Sequence, residues 1–274
     1  MSKNKPAPPL PQSLGLPLAG VETHAHLDYP PVSPETMPLV IERAKLAGVQ
    51  LIGNVFLGLT AYKANSPHFS QFPQVFFLTG IHPGDSGEAD IREVADMAGV
   101  FATEPRLKAV GEIGLDYYRD HAPHEVQERF FREQLALARQ VDRPVAVHSR
   151  EATADTLRIL AESGLPGERV LWHCFGLGPD VGDELMRRGY TVSIPGPVTY
   201  PKNEDLRRAV GQMDLSRLVI ESDAPFLSPQ PYRGKPNEPA YNVFTAAKIA
   251  EIKGLDAAEV WRITGENAKR FYGL

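Results

Sequence analysis

Two histidines two residues apart, His24 and His26, follow a short apolar lead-in, Leu18-Ala19-Gly20-Val21. Read as a buried strand, this stretch points both imidazoles to one face, because side chains alternate along a strand. At a strand end the two rings converge on one point, a geometry that suits a metal ion. A lone His-x-His is a weak signal. Its weight comes from what stands at the ends of later apolar runs. His82 follows the run 75–81, Glu112 lies in 107–113, and His148 closes 144–148. His173 closes 169–173, and Asp223 closes 217–223. Five of the eight histidines occupy such ends, which chance placement would rarely achieve. Carboxylates inside apolar runs are costly unless paired or bound to metal.

His24, His26, Glu112, His148, His173 and Asp223 make six ligands, more than one catalytic zinc uses. Two divalent cations (Zn²⁺, Mn²⁺ or Mg²⁺) sharing a bridging carboxylate would use them all, since mixed imidazole and carboxylate ligands suit such ions. Glu112 is the natural bridge, because its strand lies between the His24/His26 pair and the His148/His173 pair. Asp223 is then expected to hold the first ion and to accept a proton from its water. Glu112 and Asp223 are thus the expected catalytic residues. A pair of ions so held can activate a water and stabilise the leaving oxygen of a phosphodiester. His82, followed by Pro83, reads equally as a substrate contact and as a loop histidine. Asp116 and Arg150 suit a salt bridge as readily as a substrate. His68, His121 and His124 lie in polar or helical stretches and read as surface residues. Cys174 adjoins His173 and, by strand alternation, is expected on the opposite face as a small packing residue.

The elements that must position these groups are legible from the pattern. Eight apolar runs, near 18–21, 49–56, 75–81, 107–113, 144–148, 169–173, 190–194 and 217–223, read as strands. Helical patterns alternate with them, near 36–47, 60–70, 88–98, 124–140, 151–162, 180–188 and 203–210. A long loop over 225–239 leads to helices near 240–252, 256–263 and 265–272. Short, mostly apolar strands suit a parallel sheet buried on both faces. Eight such units in one domain predict an α/β fold, a (β/α)8 TIM barrel, whose active site lies at the C-terminal strand ends. An open doubly wound sheet is the alternative. No Gly-x-Gly-x-x-Gly follows the first strand, which argues against dinucleotide binding. Residues 1–17 are Pro-rich and polar and read as a flexible N-terminal tail rather than a signal peptide, with the barrel domain over 18–274.

Composition narrows the function. The chain has 274 residues, 42% of them hydrophobic, and a formal charge of −5. Proteins that grip nucleic acid through a broad basic surface are basic, so any phosphate recognition here must be local or supplied by bound cations. The single cysteine forbids an intrachain disulfide and fits a reducing, cytoplasmic setting. No apolar run of 18 residues exists, so no membrane-spanning helix is expected. Oligomeric state cannot be read from helix faces this mixed.

Several ordered stretches resemble the TatD family of metal-dependent deoxyribonucleases, within the amidohydrolase-like TIM barrels. They are Thr23-His-Ala-His-Leu-Asp28, Gly80-Ile-His-Pro83, Gly111-Glu-Ile-Gly-Leu-Asp-Tyr-Tyr118 and His148-Ser-Arg-Glu-Ala152. They continue with His173-Cys-Phe175, Glu221-Ser-Asp-Ala-Pro225, Asn237-Glu-Pro239 and Thr264-Gly-Glu-Asn-Ala-Lys-Arg-Phe271. Glu22 stands where that family more often has Asp. The resemblance implies two divalent metals at the six ligands, with Glu112 bridging. It also implies phosphodiester hydrolysis in DNA with exonuclease character, on a single strand or a 3′ end. It places His82 and Arg150 near the substrate phosphate, and Asp116 falls in the same motif region. Two rival readings keep the ligands. One is a metal-dependent hydrolase of an ester or amide, such as a D-aminoacyl-tRNA ester. The other is a non-catalytic, metal-stabilised nucleic-acid-binding module.

Overall fold

The computed structural model describes residues 7–119 and 121–274. Its strands are β1 (Gly20–Ala25), β2 (Val49–Leu57), β3 (Val75–Gly80), β4 (Leu107–Asp116), β5 (Val145–Arg150), β6 (Val170–Trp172), β7 (Thr191–Ile194) and β8 (Leu218–Ile220). They pair in parallel, each with the next in sequence, in one sheet. A bridge between Ala25 and Ala224 joins the ends, with His26 N–H donating to Ala224 O (2.8 Å) and Asp223 N–H to His24 O (2.9 Å). The sheet thus curls into the expected TIM barrel.

The helices are α1 (Met37–Leu46), α2 (Gly58–Asn65), α3 (Arg92–Thr103), α4 (His124–Gln140), α5 (Thr153–Ser163), α6 (Pro179–Arg187), α7 (Glu204–Gln212), α8 (Asn242–Lys253) and α9 (Ala257–Tyr272). One cluster of apolar side chains fills the layer between strands and helices; Phe56, Phe77, Phe131 and Trp172 are fully buried there. A second lies inside the barrel and includes Val55, Leu78, Ala146, Leu171 and Tyr272. The end of α9 therefore floors the barrel, and Tyr272 Oη donates to Thr23 O (3.3 Å). The interior is a packed core below and an open mouth above, as the fold requires.

Two expectations change. The helices anticipated at 256–263 and 265–272 are one, α9. Gly265 does not break it, because a Cβ there would meet the Ala19 carbonyl oxygen at 2.2 Å. That glycine serves the close approach of α9 to β1, not a turn. The flexible tail expected over 1–17 is held by contacts along its second half. Pro11 is buried in a short 3-10 turn (Pro11–Leu14). Tyr232 Oη donates to Pro9 O (3.0 Å), and Trp261 Nε1–H donates to Pro17 O (2.9 Å). Residues 1–6 of that tail lie outside the described residues. Among the described residues, no helix is long and apolar enough to cross a membrane.

Candidate metal centre

The six expected ligands meet at the C-terminal mouth of the barrel. β1 delivers His24 and, one residue past its end, His26. β4 delivers Glu112, β5 His148, and the turns after β6 and β8 deliver His173 and Asp223. Glu112 stands in the middle with its two oxygens facing opposite ways. Oε2 lies 3.4 Å from His24 Nε2 and 3.9 Å from His26 Nε2. Oε1 lies 2.6 Å from His148 Nδ1 and 3.3 Å from His173 Nε2. Asp223 Oδ1 approaches His26 Nε2 at 3.6 Å. Ligand atoms within 4.8 Å of one another form the groups His24/His26/Glu112, Glu112/His148/His173 and His24/His173/Asp223.

Irregular backbone aims these groups. The β4–β5 register shifts between Val110 and Ile113, and Glu112 sits in the shift. The β1–β2 register shifts between Glu22 and Ala25, across His24. Such bulges re-aim side chains beside active sites. Gly114 completes the approach of β4 to β5. Its φ is +141°, and a Cβ would fall 2.0 Å from His148 O.

Hydrogen bonds fix which imidazole nitrogen carries a proton. His26 Nδ1–H donates to Val55 O (3.1 Å), and His173 Nδ1–H donates to Glu221 Oε2 (2.8 Å). Each is thereby oriented with Nε2 toward the centre, the arrangement typical of metal-ligating histidines, although in His173 a cation would first have to displace the Nε2 proton. His24 is fully buried, and neither of its nitrogens has a hydrogen-bond partner. Burial, with the like charge of His173, holds its pKa down to about 4. A neutral, orphaned, buried imidazole is costly in a finished protein, and a cation at Nε2 removes that cost. The donor set therefore fits divalent metal.

The carboxylates and the remaining histidines balance one another. Burial opposes the charge of Glu112, yet His173 and His148 hold its carboxyl well below the usual range. Burial likewise opposes charge on His148 and His173. Glu112 and Asp116 nevertheless raise His148 to about 8, and Glu221 and Glu112 raise His173 to about 10. Asp223 is pushed up to about 6 by burial, tempered by His173 and His26. Without cations, the centre balances its carboxylates with protons.

The expected substrate residues divide. His82 lies at the rim with Nε2 3.9 Å from Glu112 Oε1. Its Nδ1 accepts from Gly84 N–H (2.9 Å), so Nε2 carries the proton and points inward as a donor. Burial keeps the ring neutral, with its pKa lowered to about 4. Arg150 is exposed, its guanidinium 4.0 Å over the Tyr118 ring. Asp116, read as suiting a salt bridge or a substrate, is buried and engaged in an ion pair. Oδ2 meets His148 Nε2 (3.2 Å), and Oδ1 accepts from Tyr118 N–H (3.1 Å) and Arg119 N–H (2.9 Å). It holds His148, within 4.8 Å of the ring nitrogens of His82 and His148. Cys174 departs from expectation. β6 ends at Trp172, and Cys174 has φ +52°. Alternation fails there, so its sulfur comes within 4.8 Å of the His173 and Glu221 ligand atoms. His68, His121 and His124 are exposed, as expected.

Residue types alone missed the supporting groups. Glu22 is fully buried and accepts from His24 N–H (2.8 Å), Ser222 N–H (3.1 Å) and Asn242 Nδ2 (2.9 Å). Ser193 Oγ donates to Glu221 Oε2 (2.5 Å). Gln127 and Gln134, seven apart on one face of α4, grip the ends of β4 and β3. Asp116 N–H donates to Gln127 Oε1 (2.8 Å), and Ile81 N–H to Gln134 Oε1 (2.6 Å). The only available signal was a polar residue at a core-facing helical position.

Residues 21–273 match the family described as TatD-related DNase. This chain belongs to the TatD family. It is 36% identical over 253 residues to the uncharacterized metal-dependent hydrolase YabD of Bacillus subtilis strain 168, covering 92% of this chain and 98% of that one. It is 34% identical over 245 residues to a protein named 3'-5' ssDNA/RNA exonuclease TatD of Pectobacterium parmentieri strain WPP163, covering 86% and 92%. The crystal structure of YJJV, a TatD homologue from Escherichia coli K12, superposes with a TM-score of 0.88 at 26% identity, covering 94% of this chain and 99% of that one. The TatD-family chain is therefore a metal-dependent hydrolase on a TIM barrel.

Proposed function

We propose that this TatD-family hydrolase cleaves phosphodiester bonds of single-stranded DNA with two divalent cations, trimming nucleotides from a strand end. The observation that carries the reading is Glu112, whose two carboxylate oxygens face separate histidine pairs, His24/His26 and His148/His173. A carboxylate so placed suits a bridge between two ions, with Asp223 completing the first set. Relatives named 3'-5' ssDNA/RNA exonuclease support the substrate and the 3′ polarity.

Cations held there supply Lewis acidity toward a phosphoryl oxygen and lower the pKa of a water. The chain's own groups do the rest. Asp223 borders the centre, with Oδ1 3.6 Å from His26 Nε2, placed to take the water's proton as a general base. His82 presents an Nε2–H donor toward the same point, placed to bind a non-bridging phosphate oxygen as charge builds there. Arg150, exposed on the rim, supplies local positive charge for a neighbouring phosphate in an otherwise acidic chain. Asp116 and Glu221 orient His148 and His173 from behind.

The test is digestion of end-labelled single-stranded DNA by metal-stripped protein, with Mg²⁺, Mn²⁺ or Zn²⁺ added back and Glu112→Ala alongside. The expected result is a ladder of shortened products that needs both metal and Glu112, with the variant reduced at least about 1,000-fold. Absence of cleavage with every ion, despite measured metal uptake, would transfer the site to an ester or amide substrate.

A further inference from the structure

Three aromatic rings are largely exposed among the described residues: Tyr29 (50%), Tyr118 (58%) and Phe226 (48%). All three lie at the mouth. Tyr29 stands three residues after His26 in a turn closed by Tyr29 N–H to His26 O (3.2 Å). Phe226 stands three residues after Asp223 in a turn closed by Phe226 N–H to Asp223 O (2.8 Å). The two rings face each other with centroids 5.8 Å apart and planes at 52°. His26 and Asp223, which root these turns, are themselves 3.6 Å apart. An apolar aromatic pair is thus anchored directly to one edge of the candidate metal centre. On the far side, three strands from β1 and four from β8, Tyr118 follows Asp116 and lies under the Arg150 guanidinium. The turns that hold Tyr29 and Phe226 are closed by the backbone of His26 and Asp223, residues that shape the centre.

Aromatic faces beside isolated arginines are what proteins use to hold unpaired bases, because every base has a stackable face and each linkage carries a charge. A base inside a duplex already has both faces covered by its neighbours. We propose that Tyr29 and Phe226 form a stacking platform for the base next to the scissile phosphate, and that this platform selects unpaired strands. Tyr118, braced by Arg150, offers a second stacking face across the mouth for a neighbouring base. The proposal rests on the phosphodiesterase reading and adds how the substrate is recognised.

The experiment compares two end-labelled oligothymidylates, one natural and one with abasic tetrahydrofuran units at the two terminal positions, using the metal-loaded full-length protein. Binding of both by fluorescence anisotropy is followed in parallel in EDTA, where nothing turns over. The wild type is expected to prefer the natural strand about 10-fold or more in kcat/KM, mainly through KM, within the range of one or two stacked bases. The Tyr29→Ala/Phe226→Ala double variant is expected to lose that preference to within about 2-fold. Tyr29→Phe and Phe226→Tyr, which keep the stacking faces, should retain it. Both rings are exposed, so the variants are expected to stay folded, which thermal melts check. A double variant that keeps the preference, or a wild type with none, overturns the proposal. Base-dependent binding that needs Tyr29 and Phe226, without any cleavage, supports the platform while removing the phosphodiesterase reading. Neither binding nor cleavage overturns both.

Discussion

The two sides of the centre are built on different principles. On the side where β1 meets β8, His24 is fully buried and the ligands are held by groups that do not themselves face the mouth. Glu22 ties His24 N–H to Ser222 N–H, Thr23 Oγ1 donates to Ile220 O (3.0 Å), and Val55 O fixes the ring of His26. On the β4–β5 side the side chains of His148 and His82 are 18% and 16% exposed. There the candidate ligands hold one another: His148 touches Glu112 through Nδ1 and Asp116 through Nε2. The seam is shaped whether or not a cation is present. The other side is satisfied by protons and ion pairs that a cation must displace. If the centre holds two cations as proposed, the difference predicts a tight, preformed position at the seam and a weaker, pH-sensitive position beside His148.

The largest expected effect comes from breaking the seam. Glu22→Ala would strand three buried donors, on His24, Ser222 and Asn242, each costing about 1–3 kcal/mol. A loss of several kcal/mol in denaturant unfolding is expected, with the tighter step of metal uptake abolished. Glu22→Gln, which keeps an acceptor, should cost clearly less. If Glu22→Ala leaves both stability and the tight step intact, the seam is not what shapes that half.

Asp116→Asn sharpens the contrast from the other side. It removes the charge behind His148 and leaves the seam alone. Partners of this kind are worth about 10–100-fold in metal affinity. Calorimetric titration of stripped protein should therefore show the weaker step shifted by that factor and the tighter step unchanged. Equal weakening of both steps would mean that the two sides are not independent.

How much of this was legible in the sequence depends on where each residue's partner lies. The barrel was readable because eight apolar runs alternate with helical patterns, and the ligands because charge and imidazole at the ends of such runs demand explanation. Glu22 was legible only as a departure from the family's usual Asp; its role was not, because its partners Ser222 and Asn242 lie about two hundred residues on, across the closing seam. Gln127 and Gln134 escaped because α4 otherwise reads as an ordinary amphipathic helix. Cys174 was misplaced because strand alternation was carried past Trp172, where the backbone turns to φ +52°. The one helix α9 was read as two, 256–263 and 265–272, because the close packing of Gly265 against Ala19 that keeps it continuous is visible only in the fold. In each case the local pattern was sound, and a distant partner decided the outcome.

The smallest effect, and the one that tests the proton balance directly, is pH dependence. His148 is raised from 6.5 to about 8 by Glu112 and Asp116, which outweigh burial. A raised pKa means that the folded, metal-free protein binds this proton more tightly than the unfolded chain does. The stabilisation is complete below about 6.5 and is lost as pH rises through 8. Glu22, raised to about 8 by burial, adds to the same trend, because its ionisation is disfavoured in the fold. The melting temperature of metal-free protein should therefore fall by a few degrees between pH 6.5 and 8.5. Cation binding at His148 must expel the same proton. The weaker step of metal uptake should accordingly strengthen steeply with pH up to about 8, and less steeply above it, where His173, raised to about 10, still has a proton to lose. His24, already neutral because burial holds its pKa near 4, has no proton to lose there, so the tight step should change little. A melting temperature that rises with pH in EDTA, or two uptake steps with the same pH slope, would contradict the division of the centre into a prebuilt side and a proton-balanced one.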